Sequence, residues 1–594
     1  LGRLLYAVAA SAALTVPLAA TSARAAQPRA TVEGEMDAAL RAEIVRAVGE
    51  TDRSIDNRFE ARRRANGAAE DAIAVLRSEG YYGYVVEPEV GDGDTPSAAV
   101  RVAPGPRFHL ALPKIEWVGT PPDADTQIGA VSSLALNPGA PGRAADVVSA
   151  EGRAVAAVQK RGYADAKAQP REVVVDHGDQ SVQPTYRLAA GKLVKLDGVN
   201  LTTNGRTRAK WVRGLAPWRS GELYDPEKVA KLERRLLDTG VYESVTVGLS
   251  PVDQTTADGL RPVVVSLAER KRRTLEVGAS WGSNEGPGFD VRWTRYNFLG
   301  RADTLGLFAK GSKLDSRVGA DLTLPHWKRP DQTLTLDAAA YNTTTDAYDA
   351  KGFGVRADAQ RHFTKTSYLT LGGSVDFSRT DEIKPGTLTP LGRDVLTVAA
   401  LADLALDRSN DPLDPRRGWR VNARAEPTLL AGKGTVPYVK LQTGGSAYFP
   451  FGKEAKTVLA ARVHVGSILN GTVADIPAPQ RFYAGGGGSV RGFAYQGVGP
   501  RLADNTPQGG LSLVEGSIEL RHDLTRTWGL VGFVDAGAVG SQNTPTFKDV
   551  GVGAGVGVRY NLGFGPIRVD VAVPVSGKNG GSPFQVYVSI GQAF

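Results

Sequence analysis

A few short stretches of this 594-residue chain hold residue types that could do chemistry, and most lack the surroundings for it. Gly278 to Gly282, "GASWG", matches the G-x-S-x-G pattern of a nucleophilic serine. Such a serine needs a strand, a sharp turn and then a helix; apolar and polar residues alternate straight through Ser280, as on one continuous strand. The six histidines, at 109, 177, 326, 362, 464 and 522, do not fall at metal-ligand spacing. "GVGAGVG" at 551–557 has period two, unlike a phosphate loop, and "DRSNDPLDP" at 407–415 reads as Asx and proline turns rather than a calcium loop. No enzyme activity, metal or cofactor is expected. What remains is an arginine: "RFYAGGGGSVRGFAYQGVGP", residues 481–500, sets Arg491 beyond four glycines, with aromatic residues on both sides. A glycine run is entropically costly to order, so Arg491 is the natural anchor, provided it has a partner.

The elements that must position this loop change character along the chain. Arg3, an apolar run over Leu4–Ala20 and Ala23-Arg24-Ala25 form an export signal, expected to cover 1–25. Between about residues 30 and 270 three helical segments each end in glycine near a tyrosine: Gly80-Tyr81, Gly162-Tyr163, and Gly240 with Tyr242. An apolar stripe such as Val229, Leu232, Leu236 and Leu237 stops at a glycine suited to a left-handed cap, and a β-branched strand follows. This spacing predicts three α+β modules, at 26–104, 105–189 and 190–270. The basic run Arg62 to Arg64 reads as a solvated helix face.

From 271 to 594 the period is two. Leu275, Val277, Ala279 and Trp281 alternate with polar or small residues, as do Val552, Ala554, Val556 and Val558, then Ile567, Val569, Val571 and Val573. The opposite face carries charges and glycines, suiting a wet lumen better than a sandwich core. At about 9–11 residues per crossing plus a connection, this region holds about 16 strands. The fold expected is an antiparallel membrane β-barrel preceded by three α+β modules. With no cysteine, stability comes from packing and strand pairing; a dispersed net charge of +8 gives no support for nucleic-acid binding.

Taken together, the modules, the barrel, "RYNFLGRADTL", "DRSNDPLDPRRGW", "RFYAGGGGSVRGF", "LVGFVDAGAVG" and a last strand "FQVYVSIGQAF" ending in an aromatic residue resemble the outer-membrane assembly and secretion superfamily that includes BamA, TamA and the two-partner secretion transporters. The resemblance makes the modules POTRA domains in the periplasm and the barrel an outer-membrane one. Three modules at this length resemble the TamA branch. That implies an inner-membrane-anchored TamB-type partner, unfolded outer-membrane proteins such as autotransporters as substrates, and a lipid bilayer around the barrel. The alternative is a two-partner-type secretion pore for a dedicated exported protein.

The resemblance also assigns residues. The loop folds into the lumen and the arginine of its VRGF motif, Val490, Arg491, Gly492 and Phe493, pairs with an acid on the wall. Asp535 is the choice, because Gly537 on its face leaves room and Leu530, Val534 and Ala536 can face lipid; Glu515 and Glu519 compete. A weak lateral seam between the first and last strands would hold Leu275, Val277, Ala279 and Trp281 on one side. Val586, Val588, Ile590 and Phe594 would line the other.

Overall fold

The computed structural model describes residues 27–91, 96–282, 286–452, 454–562, 565–577 and 583–594. The expected export signal, 1–25, lies outside the described residues. The chain divides into two compact units. One runs to Asp197 and adds Ser220–Lys228 and Thr255–Arg261; the other holds Gly198–Arg219, Val229–Gln254 and Pro262–Phe594.

In the first unit, helices α1 (Ala38–Val48) and α2 (Arg58–Ser78) accompany a sheet in the order Thr31–Glu33, Ala98–Ala103, Val85–Val90. Leu40, Ile44 and Val48 of α1 and Ala65, Ala68, Ala72 and Leu76 of α2 recur at helical spacing and close on Val100 and Val102. The same periodicity corrects the solvated reading of Arg62 to Arg64 at one residue. Arg62 and Arg63 are exposed, but Arg64 shares the inner face with Ala61 and Ala65, is buried, and donates to Glu60 and to the carbonyls of Arg53 and Ser54. Next come α3 (Ala124–Ser133) and α4 (Ala144–Lys160), with a sheet centred on Ser181–Ala189.

A third α+β assembly has strands Lys195–Thr203, Leu260–Glu269 and Tyr242–Leu249 with helices α5 (Ala209–Arg213) and α6 (Pro226–Leu237). Gly80, Gly162 and Gly240, which follow α2, α4 and α6, take φ of +90°, +102° and +68°, the left-handed turn that ends each helix.

The rest of the second unit is one sheet of sixteen strands, each antiparallel to the next in sequence. They are β1 (Arg273–Gly282), β2 (Gly286–Tyr296), β3 (Thr304–Gly311), β4 (Asp315–Leu324), β5 (Gln332–Thr344), β6 (Tyr348–His362), β7 (Tyr368–Ile383) and β8 (Pro390–Asp407). Then follow β9 (Gly418–Ala431), β10 (Thr435–Phe451), β11 (Thr457–Leu469), β12 (Ser512–Asp523), β13 (Trp528–Gly540), β14 (Gly551–Asn561), β15 (Pro566–Ser576) and β16 (Gln585–Ile590). Leu275, Val277, Phe289, Phe377, Ile518 and Val556 are exposed on the outer face, as alternation requires of a wall against lipid. Strands β6 to β10 run to 14–18 residues, longer than a bilayer crossing needs. Their extra length walls in the β11–β12 connection: Val395, Leu430 and Tyr438 share a core with Ile476, Phe482, Val490 and Phe493. Between β1 and β16 some Cα atoms come within 8 Å, yet no ladder joins the two strands among the described residues.

The strand meander returns alternate connections to the end where β1 begins, and there the β2–β3 and β4–β5 turns meet the third assembly. Asn297 donates to Glu269 (2.6 Å) and Thr207 (3.0 Å), and the Arg208 amide donates to the Gly300 carbonyl (2.9 Å). The β4–β5 turn is clasped to α6. Arg235 forks onto Asp331 (2.9 and 3.2 Å), the Asp331 amide donates to His326 Nδ1 (3.0 Å), and His326 Nε2 lies 2.9 Å from the Arg235 carbonyl. With Nδ1 accepting, Nε2 carries the proton and donates. Burial holds the His326 pKa below its ordinary 6.5, and Arg235 holds that of Asp331 below 3.8. Both groups therefore stabilise the fold at neutral pH, but in different windows. As pH falls below 6.5 the unfolded histidine takes up a proton that the clasped ring resists, and stability is lost until the folded pKa is passed; Asp331 enters only below 3.8. His326→Gln should flatten the fall in unfolding temperature between about pH 7 and about pH 5. An unchanged slope in a thermal-unfolding series would exclude His326 as its source.

Candidate functional site

The β11–β12 connection enters the lumen and ends its approach at Arg491, whose side chain is only 2% exposed. Its guanidinium forks onto Asp535, Nε to Oδ2 at 2.6 Å and Nη2 to Oδ1 at 2.9 Å, and the Arg491 amide adds a third bond to the same carboxylate at 3.0 Å. Nη1 lies 2.7 Å from Glu519 and 3.1 Å from Asp570. Ser517 donates to Asp535 at 2.6 Å, and the guanidinium carbon sits 3.4 Å from the Phe533 ring centroid. Asp535 is therefore the principal partner and Glu519 a second one. Glu515 instead receives the Ser489 hydroxyl and contacts His464.

Strand register explains why these groups converge. Ser517 on β12 lies opposite Asp535 on β13, Asp535 opposite Gly553 on β14, and Gly557 on β14 opposite Asp570 on β15. Asp570 in turn faces Tyr587 on β16, whose hydroxyl accepts from the Gly492 amide (3.1 Å) and donates to the Phe493 carbonyl (3.0 Å). The period-two glycines of β14 are the floor of this site: a Cβ on Gly553 would overlap the Arg491 carbonyl oxygen, and one on Gly557 would overlap the Asp570 carboxylate. Gly537, expected to make room for the guanidinium, makes room for Val490 instead. Phe482, Val490 and Phe493 are buried in the loop's core. Of the four consecutive glycines, Gly485 and Gly486 take φ of +109° and +101°.

Three further arginines surround these carboxylates. Arg521 donates to Glu519 (2.9 Å), Arg559 to Asp570 (2.5 Å), and Arg568 lies 3.7 Å from Asp570. Four guanidiniums thus face three carboxylates, all buried. Asp570 was the partner not anticipated from sequence; the signal was present in Gly557, whose missing side chain leaves space for it.

The seam residues are placed as follows. Leu275, Val277 and Ala279 on β1, and Val586 and Val588 on β16, are exposed on their strands; the side chains of Trp281 and Ile590 lie outside the described residues. Phe594 departs from the expectation. Gly591 turns the chain at φ +88°, Gln592 bonds the β8–β9 turn through Leu413 and Asp414, and the Phe594 ring packs on Tyr448, Val458 and Ala460 in the lumen. Its carbonyl accepts from Arg521 at 3.2 Å. An aromatic ring flanked by Arg462 and Arg521 is better satisfied there than at a strand edge.

Residues 297–594 match the Omp85 superfamily domain, and the chain belongs to that superfamily. It is 23% identical over 411 residues to the outer membrane protein assembly factor BamA of Neorickettsia risticii (strain Illinois), covering 66% of this chain and 54% of that protein. It is likewise 23% identical over 425 residues to BamA of Neisseria meningitidis serogroup B (strain ATCC BAA-335 / MC58), covering 64% and 51%. The chain thus spans about half the length of these curated relatives. In fold it is similar to the crystal structure of BamA from Haemophilus ducreyi lacking POTRA domains 1–3, with a TM-score of 0.68 at 20% identity over 81% of this chain and 99% of that one.

Arg491→Ala would leave Glu519, Asp535 and Asp570 buried without their shared cation, a loss of about 3–5 kcal/mol by analogy with broken buried ion pairs. Arg491→Lys restores charge but not the fork and should recover only part of it. Urea unfolding of the folded band on gels, together with protease access to residues 470–511, reads both effects. Wild-type stability in Arg491→Ala would remove the locking role.

Proposed function

We propose that this chain is an outer-membrane assembly factor that inserts β-barrel proteins by templating their strands at the β1–β16 edge. The observation that carries the reading is that edge: adjacent strands that no ladder joins among the described residues, in a sheet whose consecutive strands are all paired. Edge amides and carbonyls have no water to bond within a bilayer, so an incoming strand gains more there than it would in solution. The process needs no catalytic residue, cofactor or nucleotide, because the substrate's own hydrogen bonds and apolar burial supply the free energy. The α+β modules would act in the periplasm as receptors for unfolded chains.

The finer reading is a TamA-type factor. It draws on the three α+β assemblies, implies a TamB-type partner anchored in the inner membrane, and includes autotransporters among the substrates. Copurification of such a partner with the full chain tests that branch. A two-partner-type pore would have to expel a loop held by Arg491, which favours the seam.

The chain lacks cysteine, so seam tests are clean. Cysteines at Leu275, Val277 or Ala279 paired with Val586 or Val588 should form a disulfide in at least one register. That lock should halt the accelerated folding of a urea-denatured barrel substrate in proteoliposomes, and reductant should restore it. Full activity of the oxidised, locked protein would contradict templating at this edge.

A further inference from the structure

A second site lies on the end of the sheet where β1 begins, away from both the loop lock and the seam. The third α+β assembly, the β2–β3 turn and the β4–β5 turn enclose a cavity of about 270 Å³ lined by Arg208, Lys210, Trp211, Arg301, Trp327 and Lys328. Four cations share this wall. None forms an ion pair with a carboxylate among the described residues, and the nearby acids are engaged elsewhere. Asp303 accepts from the amides of Leu299 and Arg301, Asp331 is held by Arg235, and Glu269 receives Thr207 and Asn297. Asp238 also acts on His326 from beside α6, so the four cations form a positive cluster that holds no carboxylate in an ion pair among the described residues.

Its framework is fixed. Arg208 is tied by its amide to the Gly300 carbonyl at 2.9 Å, and a Cβ on Gly300 would crowd the Arg206 carbonyl oxygen at 2.6 Å, so the two segments approach as closely as backbones can. Trp211 stands 6.1 Å from His326, a member of the clasp on α6, and Lys328 lies 4.4 Å over Trp327. Trp327 lies in the β4–β5 turn, and tryptophans at strand ends mark the level of lipid headgroups on a membrane barrel, where their rings sit between hydrocarbon and water; Trp211 reaches the same cavity from α5. Basic side chains at that level attract anionic headgroups.

From this juxtaposition we infer that the cavity is a binding site for the headgroup of an anionic phospholipid. Arg208, Lys210, Arg301 and Lys328 bind the phosphodiester and its negative charge, while Trp211 and Trp327 cover the glycerol region. A lipid held there would touch the third assembly and two barrel turns at once. It would act as a lipid-dependent brace between the third assembly and the end of the sheet it meets. The site does not depend on the templating reading, which concerns a different edge.

Native mass spectrometry of the purified full chain, with phosphatidylglycerol, phosphatidylcholine or inorganic phosphate added, tests the inference. Phosphatidylglycerol should be retained at least about tenfold more tightly than phosphatidylcholine, since each basic residue adds to the attraction for an anionic lipid. That preference should shrink as salt is raised. The combined variant R208Q/K210Q/R301Q/K328Q should lose it, while K313Q/K384Q/K433Q, in connections at the opposite end of the sheet, should keep it. If the combined variant fails to fold, K210E alone in the same assay serves and should reduce the preference. Equal retention of the two lipids by the wild type, or unchanged preference in the folded combined variant or K210E, would overturn the site. Displacement of phosphatidylglycerol by inorganic phosphate at matching concentration would overturn its assignment to a lipid.

Discussion

A guanidinium buried among three carboxylates is the constraint around which the barrel's C-terminal part is arranged. An isolated buried charge is costly, so Arg491 can occupy the lumen only if Asp535, Glu519 and Asp570 come to it together. Those acids sit on β12, β13 and β15, and they meet only in the register observed. The loop backbone must then pass close to β14, which explains glycine at 553, and the Asp570 carboxylate lies over the same strand, which explains glycine at 557. Loop position, strand register and glycine pattern are one solution to one electrostatic problem.

The network reaches further than the loop. Arg521 joins Glu519 to the Phe594 carbonyl, and Arg559 joins Asp570 to the Gln592 side chain, so the chain's last residues are drawn toward the same charges. The turn at Gly591 ends β16 after six residues, against ten in β1. A rigid wall of charge-locked strands therefore adjoins a short, partly unpaired edge. That contrast gives the edge its proposed use: a template must hold its own shape while offering free hydrogen-bonding groups.

Much of this was legible in the sequence because alternation is a local signal. Val552 through Val558 and Ile567 through Val573 declared strands, and with them which residues face the lumen. Asp535 followed from the same alternation once the family resemblance paired Arg491 with an acid on the wall. Asp570 was hidden because its nearness to Arg491 depends on the stacking of β12 to β15 across the sheet, which no single strand reveals. Phe594 looked like the end of a strand because a one-residue turn at Gly591 leaves little trace among neighbours that still alternate. Arg64 misled for the opposite reason: composition made it a surface charge, whereas its helical position set it on the buried face.

Hydrogen–deuterium exchange of the full chain in lipid nanodiscs tests the central claim most directly, because it reads backbone protection strand by strand. The account requires residues 481–500 and strands β12 to β15 to exchange slowly, with β1 and β16 markedly faster, and Arg491→Ala to release the loop. Uniformly slow exchange across β1 and β16, or a loop that exchanges freely in the wild type, would contradict it.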